Sequence, residues 1–322
     1  MKNMHETEFL HGVDAPSNQE AAVEYPEFDP EQAQRLQLEA GIAQVAKERE
    51  YSPELTETLI AILPEFAEYH DDPELVMQTL KECPIHMQEP GEKANEFLQN
   101  YLALPDFKFP TIASGAFFAV PAYDENNNLV LKKLLYLRRG GDLQEPGQLS
   151  LLTHELGHAI ATTDKTPVQE ADGRVRVRIG LSSEFYRLNE DGTFVEDGDE
   201  NGGIEEMLNT VAENHVMQKV LHDEGYRSTG YRIIQDVARL MPAEVLSAYE
   251  YDRTHDTQTV SQLIPPENQQ QAEQNLDRVV ANFTLSFSEL QQRGGKQIAA
   301  ENRELAQQAV DLYSDMNSST QN

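Results

Sequence analysis

The tightest constraint on this chain is the run Leu151-Leu152-Thr153-His154-Glu155-Leu156-Gly157-His158-Ala159-Ile160. Histidines four residues apart act together only on a helix, where they project within about 40° of each other, one turn apart, so that both imidazoles reach one cation. With His154 as reference, His158 lies near ~40° and Glu155 near ~100°, whereas Leu149, Leu152, Leu156 and Ile160 fall between about 160° and 240°. The spacing predicts a helix over 147–162 with one apolar face for a core and the opposite face free for a metal. Gly157 costs such a helix about 1 kcal/mol relative to alanine, which implies a close approach between the histidines. Neutral histidine is a common zinc ligand. Glu155 is not needed to hold an ion; beside the pair it is placed to take a proton from water.

A catalytic zinc site needs a third protein ligand and an open position. Ala161 and Asp164 stand where an extended HExxHxxGxxH pattern would have glycine and histidine. The single cysteine, Cys83, excludes both a Cys-rich site and an intrachain disulfide, and reads as a small buried hydrophobe. The best candidate comes later, in Gly202-Gly203-Ile204-Glu205-Glu206-Met207-Leu208-Asn209-Thr210-Val211-Ala212, which opens a predicted helix over about 203–222. Ile204, Met207, Leu208, Val211 and His215 share one broad side and leave Glu206 on the other. Glu206 is therefore the expected third ligand, with Glu205 in reserve should the register slip by one. A plainer role, two acids complementing the helix dipole, fits the same residues.

This combination resembles the thermolysin-like zinc peptidases, the gluzincins, whose third ligand is a glutamate on a second helix. On that resemblance His154, His158 and Glu206 hold Zn2+, and Glu155 is the general base. The chain departs from the family pattern in Glu205 where asparagine is usual, in Asn209 where a hydroxyl is usual, and in Thr210 where an acid usually braces a zinc-bound histidine. The group behind the histidines is thus unassigned. A weaker similarity links Glu205-Glu206-Met207-Leu208-Asn209-Thr210-Val211-Ala212 to small HExxH peptidases that cleave phage repressors (ImmA/IrrE type). Both likenesses are confined to the two-helix core. They imply hydrolysis of a peptide or protein substrate, with a further donor for the tetrahedral oxyanion: Tyr231 is the candidate, with His222 and Tyr226 behind it. The strand expected at 129–138, just before the metal helix, is the expected edge on which a peptide pairs. The alternative is a catalytically silent zinc-binding regulatory or scaffold protein, which would have no use for Glu155. A zinc hydrolase acting on a non-peptide bond fits the same residues.

Around this centre the pattern predicts an α+β fold of zincin-like type, with a small mixed sheet and mainly helical N- and C-terminal parts. Residues 1–29 are acidic and punctuated by Pro16 and Pro26 and are expected to be disordered. Residues 30–105 read as a helical N-terminal region, with helical spacing at Leu38, Ile42 and Val45, again at Leu55, Leu59 and Ile62 after Ser52-Pro53, and short helices near 73–82 and 91–103. Residues 106–265 form the expected catalytic domain, with strands at 112–122 and 129–138 around a turn at 124–128, and at 173–181 and 184–195 with a hairpin turn at Asp191-Gly192. Helices follow at 203–222 and 230–250. Residues 266–322 read as a helical segment (267–285 and 286–315) with a polar tail. Asp and Glu number 56 against 25 Lys and Arg, a net charge of −31, which argues against nucleic acid or an anionic membrane as partner. Residues 1–20 lack an apolar run of signal-peptide length, and no stretch approaches the roughly 20 apolar residues of a membrane helix. The expected location is cytoplasmic; oligomeric state is not specified by these features.

Overall fold

The helices of the N-terminal region begin where their capping chemistry puts them. In a computed structural model of the chain, residues 29–314 are described, apart from 90, 106, 110–113, 139–141, 164, 256, 284, 286–288, 290 and 291. Helix α1 (Pro30–Glu48), α2 (Pro53–His70) and α3 (Pro73–Glu82) each open with proline in the first turn, where its missing N–H is no loss. The side chains of Asp29, Ser52 and Asp72 accept from the first free amides. These three helices bury Leu38, Ile42, Leu59, Ile62, Leu63, Phe66, Val76 and Leu80 in a common core. The expectation for residues 1–29 falls, save for Asp29, outside the described residues.

A short strand, β1 (Ile85–Gln88), precedes α4 (Glu92–Leu102). It pairs in parallel with β3 (Leu129–Arg138), which pairs antiparallel on its other side with β2 (Gly115–Tyr123), giving the order β1-β3-β2. Segment 129–138 is therefore the central strand and not the expected edge. The edge next to the helix over 146–161 is β2. Its Pro121 suits an edge, because proline has no N–H to donate and is tolerated where that position faces away from a partner strand.

After α5 (Pro146–Ala161) comes an antiparallel sheet of β4 (Val168–Gln169), β5 (Val175–Ile179), β6 (Ser182–Leu188) and β7 (Phe194–Glu200). The run 184–195 is thus the greater part of one strand, a turn and the start of the next. The Asp191-Gly192 turn falls where expected, with Gly192 at φ 85°. Inward residues of β5 and β6 pack with Ala119, Val120, Leu134 and Tyr136 of the first sheet, so the two sheets share a core with α4.

Helix α6 (Gly202–Val220) lies between two cores. Its later turns, through Ala212, Val216 and Met217, join the core of α1–α3 and α5; its first turns, through Ile204, Met207 and Leu208, join the C-terminal helices. A helix buried on most sides has little amphipathic pattern, and α6 follows that rule. The expected helix 230–250 is broken into α7 (Arg232–Leu240) and α8 (Ala243–His255). Pro242 forces the break: the preceding Met241 is extended at φ −68°, ψ 141°. Helices α9 (Pro266–Phe283) and α10 (Gly295–Ser314) complete the described residues; the expected start of the last helix at 286 falls largely outside them. The architecture is mixed α+β, and among the described residues no helix is long and apolar enough to cross a membrane.

The start of α6 is capped from outside its own segment. Asn201 is left-handed at φ 62° and its side chain makes no cap. Instead Asp277 of α9 accepts from Gly203 N at 2.7 Å and Asn201 N at 3.3 Å. Gly203 is obligatory for that docking, since a Cβ there would collide with the Leu276–Asp277 backbone. Asp277→Ala should lower stability by about 0.5–2 kcal/mol, the range for a lost helix cap. Urea denaturation monitored by circular dichroism should give a lower midpoint at unchanged slope.

Candidate metal centre

Helices α5 and α6 cross closely at Gly157. Gly157 faces Asn209, whose Oδ1 would collide with any Cβ at position 157. Asn209 Nδ2 donates to the His154 carbonyl at 2.8 Å, stitching α6 to α5 between the two histidines. The close approach implied by Gly157 is thus made by a neighbouring helix and not by a ligand.

This crossing brings His154, His158 and Glu206 together. Their ligand atoms all lie within 4.8 Å of one another. His154 Nε2 is 3.2 Å from Glu206 Oε2, and His158 Nε2 is 3.5 Å from Glu206 Oε1. The short His154 contact lacks hydrogen-bond geometry, so Glu206 Oε2 is a buried oxygen with no hydrogen-bond partner. Two ring nitrogens and an unpartnered carboxylate oxygen converging on one point is the donor set that one divalent cation satisfies.

The opposite ring nitrogens are each backed by a buried carboxylate. His154 Nδ1 lies 3.1 Å from Glu213 Oε2, and His158 Nδ1 lies 3.0 Å from Glu205 Oε1. In these pairs each ring donates from Nδ1, so that once the ring is neutral Nε2 is the inward lone pair. Glu205, the reserve ligand, therefore faces the wrong nitrogen to join the metal group. It is instead the brace for His158, while Glu213, which the sequence reading missed, is the brace for His154. Glu213 also accepts from Ser150 Oγ at 2.6 Å and from the Tyr226 hydroxyl at 3.4 Å. Tyr226 thus sits behind the centre, and His222 is exposed.

Glu155 is 92% buried. Its Oε2 accepts from Phe117 N of β2 at 2.7 Å, so the carboxylate is strung between the edge strand and the two histidines. Burial raises its pKa above the ordinary carboxylate value, partly offset by the charges of His154 and His158. Tyr231 begins α7 in the left-handed region at φ 48°. Its ring stacks near His154 with centroids 6.3 Å apart, held edge-on by Phe283 at 5.5 Å. Burial and the charges of Glu206 and Glu155 raise the phenol's pKa, keeping it a hydrogen-bond donor through neutral pH. Cys83 stays in the α1–α3 core, where burial pushes its thiol up to about 12.

No protein-family model, no curated protein and no solved structure matches the chain.

Without metal the centre is an ion cluster. Burial disfavours charge on His158, but Glu206 and Glu205 overcome it and raise its pKa to about 9; His154 is held well above its ordinary value by Glu206 and Glu213. The same pairings overcome burial to depress both acids: Arg253 and His158 lower Glu205 to about 2, and the two histidines lower Glu206. A histidine raised from 6.5 to about 9 adds stability that is complete below 6.5 and lost as pH climbs through about 9. A metal needs the same rings deprotonated, so its affinity should rise over that window. Melting temperatures of chelator-treated protein should fall between these two pH values, while the increment on adding zinc should grow. A zinc increment independent of pH would contradict the assignment of the rings as ligands.

Proposed function

We propose that the chain is a zinc-dependent metallopeptidase of zincin-like fold in which His154, His158 and Glu206 hold Zn2+ and Glu155 is the general base. The reading is supported most by one observation: a buried glutamate with no task in holding metal stands between the converged donors and an edge strand. A metal site that served only to stabilise the fold has no use for a proton acceptor, and would leave Glu155 only its contact with Phe117 N. The likeness of the two-helix core to gluzincins supports the same reading.

When bound, the ion supplies Lewis acidity, bringing the pKa of water toward roughly 7 and polarising a carbonyl oxygen. The protein's own groups do the rest. Glu155, kept in place by Phe117 N–H, accepts a proton from the attacking water and returns it to the departing amine. Tyr231, protonated and close to His154, donates toward the oxyanion formed at the scissile carbonyl. Strand β2 offers beside Glu155 a rim that no strand among the described residues pairs, and an extended peptide would pair with it by backbone with little side-chain preference.

Three preparations test this. Wild-type protein should contain one zinc per chain and digest casein or a peptide library in a chelator-sensitive way. Glu155→Gln should retain the zinc while losing roughly 10²–10⁴-fold in turnover. Glu206→Ala should lose zinc and activity together. Undiminished turnover in Glu155→Gln would remove the proposed base; zinc retention without any hydrolysis in wild type would favour a binding or scaffold role.

A further inference from the structure

The proposed mechanism leaves one fully buried charge without a task. Arg253, on α8, has no solvent exposure. Its Nε lies 3.1 Å from both oxygens of Glu205, and its Nη2 donates to Glu205 Oε1 at 2.8 Å. The same Nη2 also reaches Asn209 Oδ1 at 2.7 Å and the Gly157 carbonyl at 3.3 Å. One guanidinium thus touches the brace of His158, the residue that stitches α6 to α5, and the backbone between the two histidines. Glu205 is held on further sides by His158 Nδ1 and by Leu181 N at 3.0 Å. Gly180 clears room for its carboxylate, since a Cβ there would overlap it, and the hairpin's φ of 57° suits glycine.

We infer that Arg253 is the positioning residue of the metal centre, fixing the Glu205 carboxylate and through it the direction in which His158 presents Nε2. This rests on the proposed metal site. The planar fork of arginine reaches acceptors on three residues at once, which the single ammonium of lysine cannot reproduce. A metal-bound histidine is only as well directed as the group behind it, and loss of such a group typically costs 10–100-fold in metal affinity. Glu205 without Arg253 would keep its two remaining donors but not the pair of contacts that sets its plane. Arg253 Nη1 and the nearby Glu250 Oε2, 3.9 Å apart, have no hydrogen-bond partner, so the fork is aimed at Glu205 and not shared evenly between the two acids.

Zinc affinity by chelator competition, the absorption spectrum of the Co2+-substituted protein, and the metal-free melting temperature are measured for wild type, Arg253→Met, Arg253→Lys, Glu205→Gln and the Arg253→Met/Glu205→Gln pair. Arg253→Met should weaken zinc roughly 10–100-fold and alter the Co2+ bands. The double variant should bind no more weakly than Glu205→Gln, because the arginine acts through that carboxylate. A lower melting temperature with wild-type affinity and an unchanged Co2+ spectrum, or fully additive losses in the double variant, would overturn the inference. If Arg253→Met does not fold, Arg253→Lys decides: it should weaken zinc to a lesser degree, and wild-type affinity overturns the inference. Wild-type protein that binds neither metal fails at the metal site itself, an outcome distinct from wild-type binding that the Arg253 variants leave unchanged.

Discussion

The arrangement depends on carboxylates standing behind imidazoles. A histidine ring four residues from another can present either nitrogen, and a helix alone does not choose. Glu213 and Glu205, both almost fully buried, make the choice by occupying the Nδ1 side of each ring. Burying acids is costly unless each finds donors. Glu205 finds Arg253, His158 and Leu181 N; Glu213 finds His154, Ser150 and Tyr226. Arg253 of α8 is one of the donors that meets this requirement, and it ties α8 to α5 and α6.

The fold closes around α6 for the same reason. One helix carries the candidate ligand Glu206, both braces and the stitching Asn209, so its register must be held at both ends. The N-terminal helices grip its last turns through Val216 and Met217, and α9 grips its first through Asp277. Small residues are placed where these grips are tightest: Gly157 under Asn209, Gly180 beside Glu205 and Gly203 against α9. Each is a point at which a methyl group would push the site apart.

The convergence of His154, His158 and Glu206 was legible because it needs only helical spacing and a second helix with a polar face. The helical caps were equally legible, since Asp-Pro and Ser-Pro pairs act locally. Glu213 could have been found: seven residues beyond Glu206 is two turns, which places it on the same face of α6. Pro121 could likewise have pointed to β2 as the edge in place of 129–138. Other features were hidden for a physical reason. The parallel strand β1 is only four residues long, too short for its alternation to stand out, and the approach of Arg253 to Glu205 is decided by how distant helices pack. The αL start of α6 shows no cap in its own segment because its cap comes from α9.

The rim of β2 has a consequence for how the protein meets other chains. Unpaired strand rims invite copies of themselves, and proteins guard them by taking donors away. Here one amide is occupied by Glu155 and another position is a proline. Two identical rims brought together would face each other short of N–H groups at matching places. Homotypic stacking is thereby discouraged, while a foreign extended segment, bringing its own full complement of amides, meets carbonyls still able to accept them.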